Sequence, residues 1–114
     1  MPAQLETVPV LQGTLDMLIL KTLAWGPKHG FGILRHIEQV TGEELHVEEG
    51  ALYPALHRMH RRGWLEAEWG LSDNNRRARY YRLSSEGESA LREQVRDWGR
   101  MVRVISLVLE GVPA

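Results

Sequence analysis

Apolar positions recur along this chain with two different periods. Leu15, Leu18, Ile19, Thr22 and Leu23 are spaced i, i+3, i+4, i+7, i+8, the stripe that one face of an α-helix presents. A helix is predicted over about 14–24, with Thr14 as N-cap and Asp16 in the first turn. Trp25-Gly26-Pro27 stops it. A second helix is predicted from His29-Gly30 to Thr41-Gly42, with Phe31, Leu34, Ile37 and Val40 every third residue along one side. Leu45-His46-Val47 reads as a short extended piece. A third helix is expected over 49–62. Leu52, Leu56 and Met59 are spaced 4 and 3 and share its core face. Glu48 and Glu49 suit the positive end of its dipole. Pro54 is expected within or near the first turn, where a missing N–H costs little. Gly63 is the expected C′ residue.

The period then changes. Trp64-Leu65-Glu66-Ala67-Glu68-Trp69 alternates apolar and charged residues, as a half-buried strand does. Gly70-Leu71-Ser72-Asp73-Asn74-Asn75 is turn chemistry. Arg79-Tyr80-Tyr81-Arg82-Leu83 is the returning strand, with Tyr80 and Tyr81 on opposite faces and one of them expected in the core. A last helix opens at Ser84-Ser85-Glu86-Gly87-Glu88. Ser84 or Ser85 caps it, and Ser85 with Glu88 has the spacing of a capping box. It is predicted to run to about residue 110, ahead of Gly111 and Pro113. Leu91, Val95, Trp98, Val102, Ile105 and Leu109 are spaced 4, 3, 4, 3, 4, a heptad seam that Met101, Val104 and Val108 widen. At 1.5 Å per residue this helix is roughly 40 Å long, and an uncovered apolar stripe of that length calls for a partner. Folding back onto its own domain is the alternative.

The expected fold class is therefore mainly α with a small β-hairpin: a winged helix-turn-helix plus a long C-terminal dimerisation helix. The expected divisions are an N-terminal arm (1–12), Pro-interrupted and frayed apart from a packing role for Leu11, a winged helix-turn-helix DNA-binding domain (13–83), a dimerisation helix (84–110) and a tail (111–114).

Composition changes the picture in three respects. At 114 residues the chain is one domain, or a small domain with an appended helix. It has no cysteine, so disulfides and thiolate metal sites are excluded. No apolar run approaches the ~20 residues that span a bilayer, and Met1-Pro2-Ala3-Gln4-Leu5-Glu6 lacks the basic start of a signal peptide. The cytoplasm is the expected location, and no membrane partner is expected.

Charge is the most informative property. The net charge is only −1, yet residues 57–82 hold seven arginines (58, 61, 62, 76, 77, 79 and 82) against Glu66, Glu68 and Asp73, an excess of +4. Residues 38–49 hold Glu38, Glu43, Glu44, Glu48 and Glu49 with no Lys or Arg. A basic face attracts phosphates whatever the overall charge. A helix followed by a basic hairpin sets one element in a DNA groove and the other on the flanking phosphates.

The outer face of the third helix carries Gly50, Ala51, Tyr53, Pro54, His57 and Arg61. Gly50 and Ala51 are small enough to let the helix N-terminus approach a phosphate or a thymine methyl. Tyr53 can give its hydroxyl to phosphate while its ring packs, and His57 can donate to phosphate or a guanine edge. In the hairpin, Asn74, Asn75, Arg76, Arg77 and Arg79 form the wing; planar, always-charged guanidinium groups suit phosphates and narrow minor grooves. A solvated charged turn is the plainer reading of the same residues. His57 and His60 are three apart on a helix, but no third metal ligand is apparent. No nucleophile–base pair and no Gly-rich phosphate loop is present, so neither enzyme activity nor a cofactor is expected. Trp25, Trp64 and Trp69 read as hinge and core residues, and Trp98 most simply as a dimer-core residue.

Five segments in order resemble the PadR family of bacterial transcriptional regulators, in its short form with one C-terminal helix. They are Gly13-Thr14-Leu15, His29-Gly30-Phe31-Gly32-Ile33, Gly50-Ala51-Leu52-Tyr53-Pro54-Ala55-Leu56, Gly63-Trp64-Leu65 and Arg79-Tyr80-Tyr81-Arg82-Leu83-Ser84-Ser85-Glu86-Gly87. The resemblance covers 13–110 and departs from the family pattern at Arg58-Met59-His60, where Arg/Lys-Leu-Glu is frequent, and at a wing tip poor in glycine. It implies a homodimeric repressor on a pseudo-palindromic double-stranded operator, with the third helix in the major groove and the wing on backbone or minor groove. It further implies release by a small molecule: Trp98 matches the position at which a tryptophan of some short members stacks on a planar aromatic effector between the subunits. The rival reading is a dimeric small-molecule-binding or protein-interaction module without strong DNA affinity.

Overall fold

The two periods become helices and a hairpin. The computed structural model describes residues 13–111 and 113, so the expected arm, Leu11 included, lies outside the described residues. Helices α1 (Leu15–Leu23), α2 (Gly30–Val40) and α3 (Glu49–Arg61) surround one core. Strands β1 (Lys28–His29), β2 (Leu65–Leu71) and β3 (Arg77–Leu83) form an antiparallel sheet in the order β1-β3-β2. Helix α4 (Ser85–Glu110) then leaves the domain after packing its first turns against α1. The core is built from Ile19, Leu20 and Leu23 of α1, Ile33, Leu34 and Ile37 of α2, and Leu52, Ala55, Leu56 and Met59 of α3, closed by Val47, Leu65, Tyr81 and Ala90.

The sheet has three strands where a two-stranded ribbon was expected. Lys28 and His29 pair with Tyr81 and Tyr80 of β3. A two-residue strand directly after Pro27 carries no alternation to read. The hairpin is also longer than expected: Gly70, Leu71, Arg77 and Ala78 are strand residues, and the turn is 72–76. Ser72 N–H donates to the Arg76 carbonyl and Asn75 N–H to the Ser72 carbonyl, both at 2.8 Å. Asn75 takes φ +58°, a left-handed conformation that asparagine tolerates and that closes a wing tip poor in glycine.

Helix α2 corrects the three-residue stripe. Leu34 and Ile37 are buried, but Phe31 and Val40 are exposed, and Ile33 takes the core position instead. At about 100° per residue, steps of three drift backwards around the helix, so Phe31 and Val40 end half a turn apart.

Helix α3 stops at Gly63 as expected. Gly63 has φ +82°; its N–H donates to the His60 carbonyl and the Trp64 N–H to the Met59 carbonyl, each at 3.0 Å. This is a Schellman stop. Pro54 is the sixth residue of α3, just past the first turn. Its ring removes the bond that residue 54 would give the Gly50 carbonyl.

Helix α4 is rooted against that stop. The cap is Ser84, whose Oγ accepts from Gly87 N–H at 3.0 Å; the spacing of Ser85 and Glu88 is not used as a capping box. Ser84 N–H donates to the Trp64 carbonyl at 3.0 Å, and its hydroxyl donates to the Gly63 carbonyl. A Cβ on Gly87 would lie 2.1 Å from that Trp64 oxygen, so only glycine allows so close an approach. Beyond Ala90 and Leu91 the seam leaves the domain. Val95, Trp98, Val102, Ile105 and Leu109 are all exposed in the single chain.

Candidate nucleic-acid interface

Helix α3 separates its residues by angle. Leu52, Ala55, Leu56 and Met59 face the core, and Gly50, Pro54, His57 and Arg61 run in line along the opposite side with Ala51 and Tyr53 flanking. All six of these outer residues are exposed. A Cβ built on Gly50 meets nothing within 4 Å, so this end of α3 is open to a partner. Tyr53 is fixed by packing. Its ring lies on Gly30, where a Cβ would come within 2.6 Å of the phenolic oxygen. Partial burial, then the nearby Glu49 carboxylate, then Tyr81 raise the Tyr53 hydroxyl above its usual range. It therefore remains a protonated donor.

The strand period sorts the wing into two faces. Leu65, Ala67, Trp69 and Leu71 of β2 share one face with Leu83, Tyr81, Arg79 and Arg77, their partners on β3. Near the domain this face is core, with Leu65 and Tyr81 buried; farther out it carries Trp69 and the two arginines into the open. The other face holds Glu66, Glu68, Tyr80 and Arg82. There Arg82 Nε donates to Glu66 at 2.8 Å, a contact that raises the guanidinium pKa further above its ordinary value. Tyr80 gives its hydroxyl to the Leu71 carbonyl at 2.7 Å and meets the His29 ring edge-on. His29 in turn caps α2 by accepting Gly32 N–H on Nδ1 at 3.0 Å.

The structure thereby corrects the charge count. Arg58 points back into the domain and pairs with Asp16 of α1, so it ties two helices together instead of serving a partner. Arg82 is neutralised by Glu66 on the far face of the wing. Arg62 lies over the Trp64 ring. The arginines left facing outward on the α3 and wing side are Arg61, Arg76, Arg77 and Arg79, none of which is in an ion pair among the described residues.

Between α2 and the wing lies an open cleft of about 820 Å³, lined by Phe31, Arg35, Tyr53, Trp69, Arg76, Arg77 and Arg79 among others. Asn75 stands at the wing tip beside it. Phe31, Arg35 and Trp69 were not among the sequence candidates. Counting by twos from Leu65 reaches Trp69 on the arginine face, but its aromatic character suggested core. Trp25 and Trp69 are in fact among the exposed residues, whereas Trp64 packs on the core. Among the described residues no three of His, Asp and Glu converge as metal ligands, and no helix is long and apolar enough to cross a membrane.

The family model for the PadR-like transcriptional regulators matches residues 19–93, from the middle of α1 into α4. The chain belongs to the PadR-like family of transcriptional regulators. An uncharacterised protein of Lysinibacillus sphaericus is 31% identical to this PadR-like chain, over 90% of it and 94% of the relative. A PadR family transcriptional regulator of Eggerthella lenta has the same fold at a TM-score of 0.77, with 29% identity over 89% of this chain and 86% of that one. A transcriptional regulator of Clostridium thermocellum gives a TM-score of 0.77 and 28% identity, over 83% of this chain and 92% of that one. Regulation of transcription through DNA is the activity of the family to which this chain belongs.

Proposed function

We propose that this PadR-like regulator is a repressor that binds a pseudo-palindromic operator as a homodimer. The observation that carries the reading is the union of the exposed α3 face with the unpaired wing arginines on one side of the domain. In this reading Gly50, Ala51, Tyr53, Pro54, His57 and Arg61 meet base edges and phosphates in the major groove. Asn75, Arg76, Arg77 and Arg79 meet the flanking backbone or minor groove. Residues 13–83 are the DNA-binding domain and 84–110 the dimerisation helix, through Leu91, Val95, Trp98, Val102, Ile105 and Leu109. The exposed seam of α4 supports this division: Leu91 packs on its own core, but the five apolar positions from Val95 to Leu109 are exposed at heptad spacing and do not stay in water without a partner. Two copies must hold their α3 helices about one DNA turn apart, ~34 Å. Trp98, in the seam, stacks a planar aromatic effector between the subunits, and the protein works in the cytoplasm.

A mobility shift tests this, with DNA from upstream of the chain's own reading frame and at two salt concentrations. Affinity should fall steeply with salt, each phosphate contact contributing about −0.9 to the slope of log K against log salt. Arg76→Ala and Arg77→Ala should weaken operator and random DNA about equally, and each should lower the slope by about one. Wing variants that bind as tightly as the wild type would leave the basic cluster a solvated turn.

A further inference from the structure

Among the described residues, the arginines of α2, α3 and the wing include two differently held sets. Arg58 and Arg82 give their N–H groups to carboxylates, Asp16 and Glu66. On the DNA-facing side arginines are laid instead on aromatic rings. Arg77 sits 4.3 Å and Arg79 5.9 Å from the centroid of Trp69 on the wing. On the opposite wall of the cleft, Arg35 of α2 sits 5.8 Å from the centroid of Phe31. Both rings are more than half exposed, Phe31 at 54% and Trp69 at 57%, so neither is there to fill the core. A guanidinium against a ring is restrained while its five N–H donors stay free for a phosphate. A guanidinium held by a carboxylate is restrained with a donor used and its charge compensated, as at Arg58 Nη2 and Arg82 Nε.

Resting on the DNA-binding reading above, we propose that the cleft between α2 and the wing clamps the sugar–phosphate backbone of one DNA strand. Arg35 is a phosphate contact on the α2 wall. Trp69 is a positioning residue that presets Arg77 and Arg79 on the wing wall. Order imposed before binding lowers the entropy lost on binding, and the exposed ring faces are covered by deoxyribose once a strand occupies the cleft. The clamp adds a third element, α2, to the helix-and-wing contact, and it carries no sequence information of its own.

The test is fluorescence anisotropy of the whole protein on two duplexes of equal length, one from upstream of its reading frame and one of random sequence, over a salt series. Arg35→Ala should weaken both duplexes alike and lower the salt slope by about one. Trp69→Ala should weaken binding about tenfold, at two to five times per stacked arginine, and Trp69→Phe should keep most of the affinity. In an Arg77→Ala/Arg79→Ala background, Trp69→Ala should have no further effect, a result that a ring serving only the fold would not give. An unchanged slope in Arg35→Ala, or a full Trp69→Ala loss without the two arginines, overturns the clamp while the DNA-binding reading stands. A wild type with no affinity for either duplex overturns both. If Trp69→Ala does not fold, the salt slope of Arg35→Ala, a change on the exposed side of α2, decides alone.

Discussion

Alanine at Gly87 and alanine at Gly99 should move stability in opposite directions, although both positions lie inside the same helix. A Cβ at Gly87 would sit 2.1 Å from the Trp64 carbonyl oxygen and 3.3 Å from a Leu83 methyl carbon. A relaxed carbon–oxygen contact is about 3.3 Å or more, so the backbone must part by about 1 Å. Nothing flexible can give way, because the opposing atom is main chain. The same oxygen also accepts from Ser84, whose hydroxyl caps the helix at Gly87. Overpacking of this kind costs roughly 1–3 kcal/mol, and a weakened cap adds about 1 kcal/mol. Alanine recovers about 1 kcal/mol of helix propensity. The net loss is about 2 kcal/mol, a fall in Tm on the order of 10 °C for a domain this small. Gly99→Ala meets nothing within 4 Å, keeps only the propensity gain of about 1 kcal/mol, and should raise Tm by a few degrees. Thermal and urea unfolding followed by far-UV circular dichroism measure both, at one protein concentration because association shifts Tm. If Gly87→Ala melts at or above the wild-type temperature, the contact at the root of α4 is not tight and the reasoning fails.

Three further outcomes are expected. Val102→Asp puts an unpaired charge into the α4 seam, costing on the order of several kcal/mol in a dimer; light scattering should report monomer or aggregate, and an intact dimer would overturn the seam as the interface. Flat aromatic dyes should quench the wild-type tryptophan fluorescence, and Trp98→Ala should abolish that quenching while remaining a dimer; equal dye binding by the two proteins would falsify an effector site there. The raised Tyr53 pKa means that the folded state holds this proton more tightly than the unfolded state. That contribution is whole below the ordinary tyrosine range and is lost as pH rises through it to the folded value. Alkaline unfolding of Tyr53→Phe should lack this component, and an identical pH profile would show the ring to be solvated.

Much of this architecture is legible in the residues because it rests on local chemistry. Gly63 stops α3 through its own left-handed backbone, and Leu52, Leu56 and Met59 need only helical spacing to share a face. The faces of the wing follow from a period of two, which puts Arg77 and Arg79 together and sends Arg82 to the other side. What escaped depends on contacts across the chain. β1 exists because β3 offers it an edge. Ser84 caps α4 in preference to Ser85 because the Trp64 carbonyl holds it there. The inward turn of Arg58 is set by Asp16, 42 residues earlier, and no local pattern signals it. Trp69 reads as core because it is an aromatic in an alternating strand, yet the length of the hairpin carries it past the core into the cleft.

The anchored base of α4 makes this helix a lever. It holds 26 residues and so extends roughly 39 Å from its root at Ser84 and Gly87. Swinging a rod of that length through about 5° carries its tip roughly 3.4 Å, the rise of one base pair along a strand. In the proposed dimer joined along α4, each domain hangs roughly 20 Å from a joint near Trp98, so a rotation of about 5° there moves each by roughly 2 Å and the pair by about one step of the operator spacing. The proposed effector beside Trp98, near the middle of the rod, would need only to alter that angle slightly to put the two domains out of phase with the DNA. The stiffness of the anchorage is what lets so small a displacement travel the full length without being absorbed on the way.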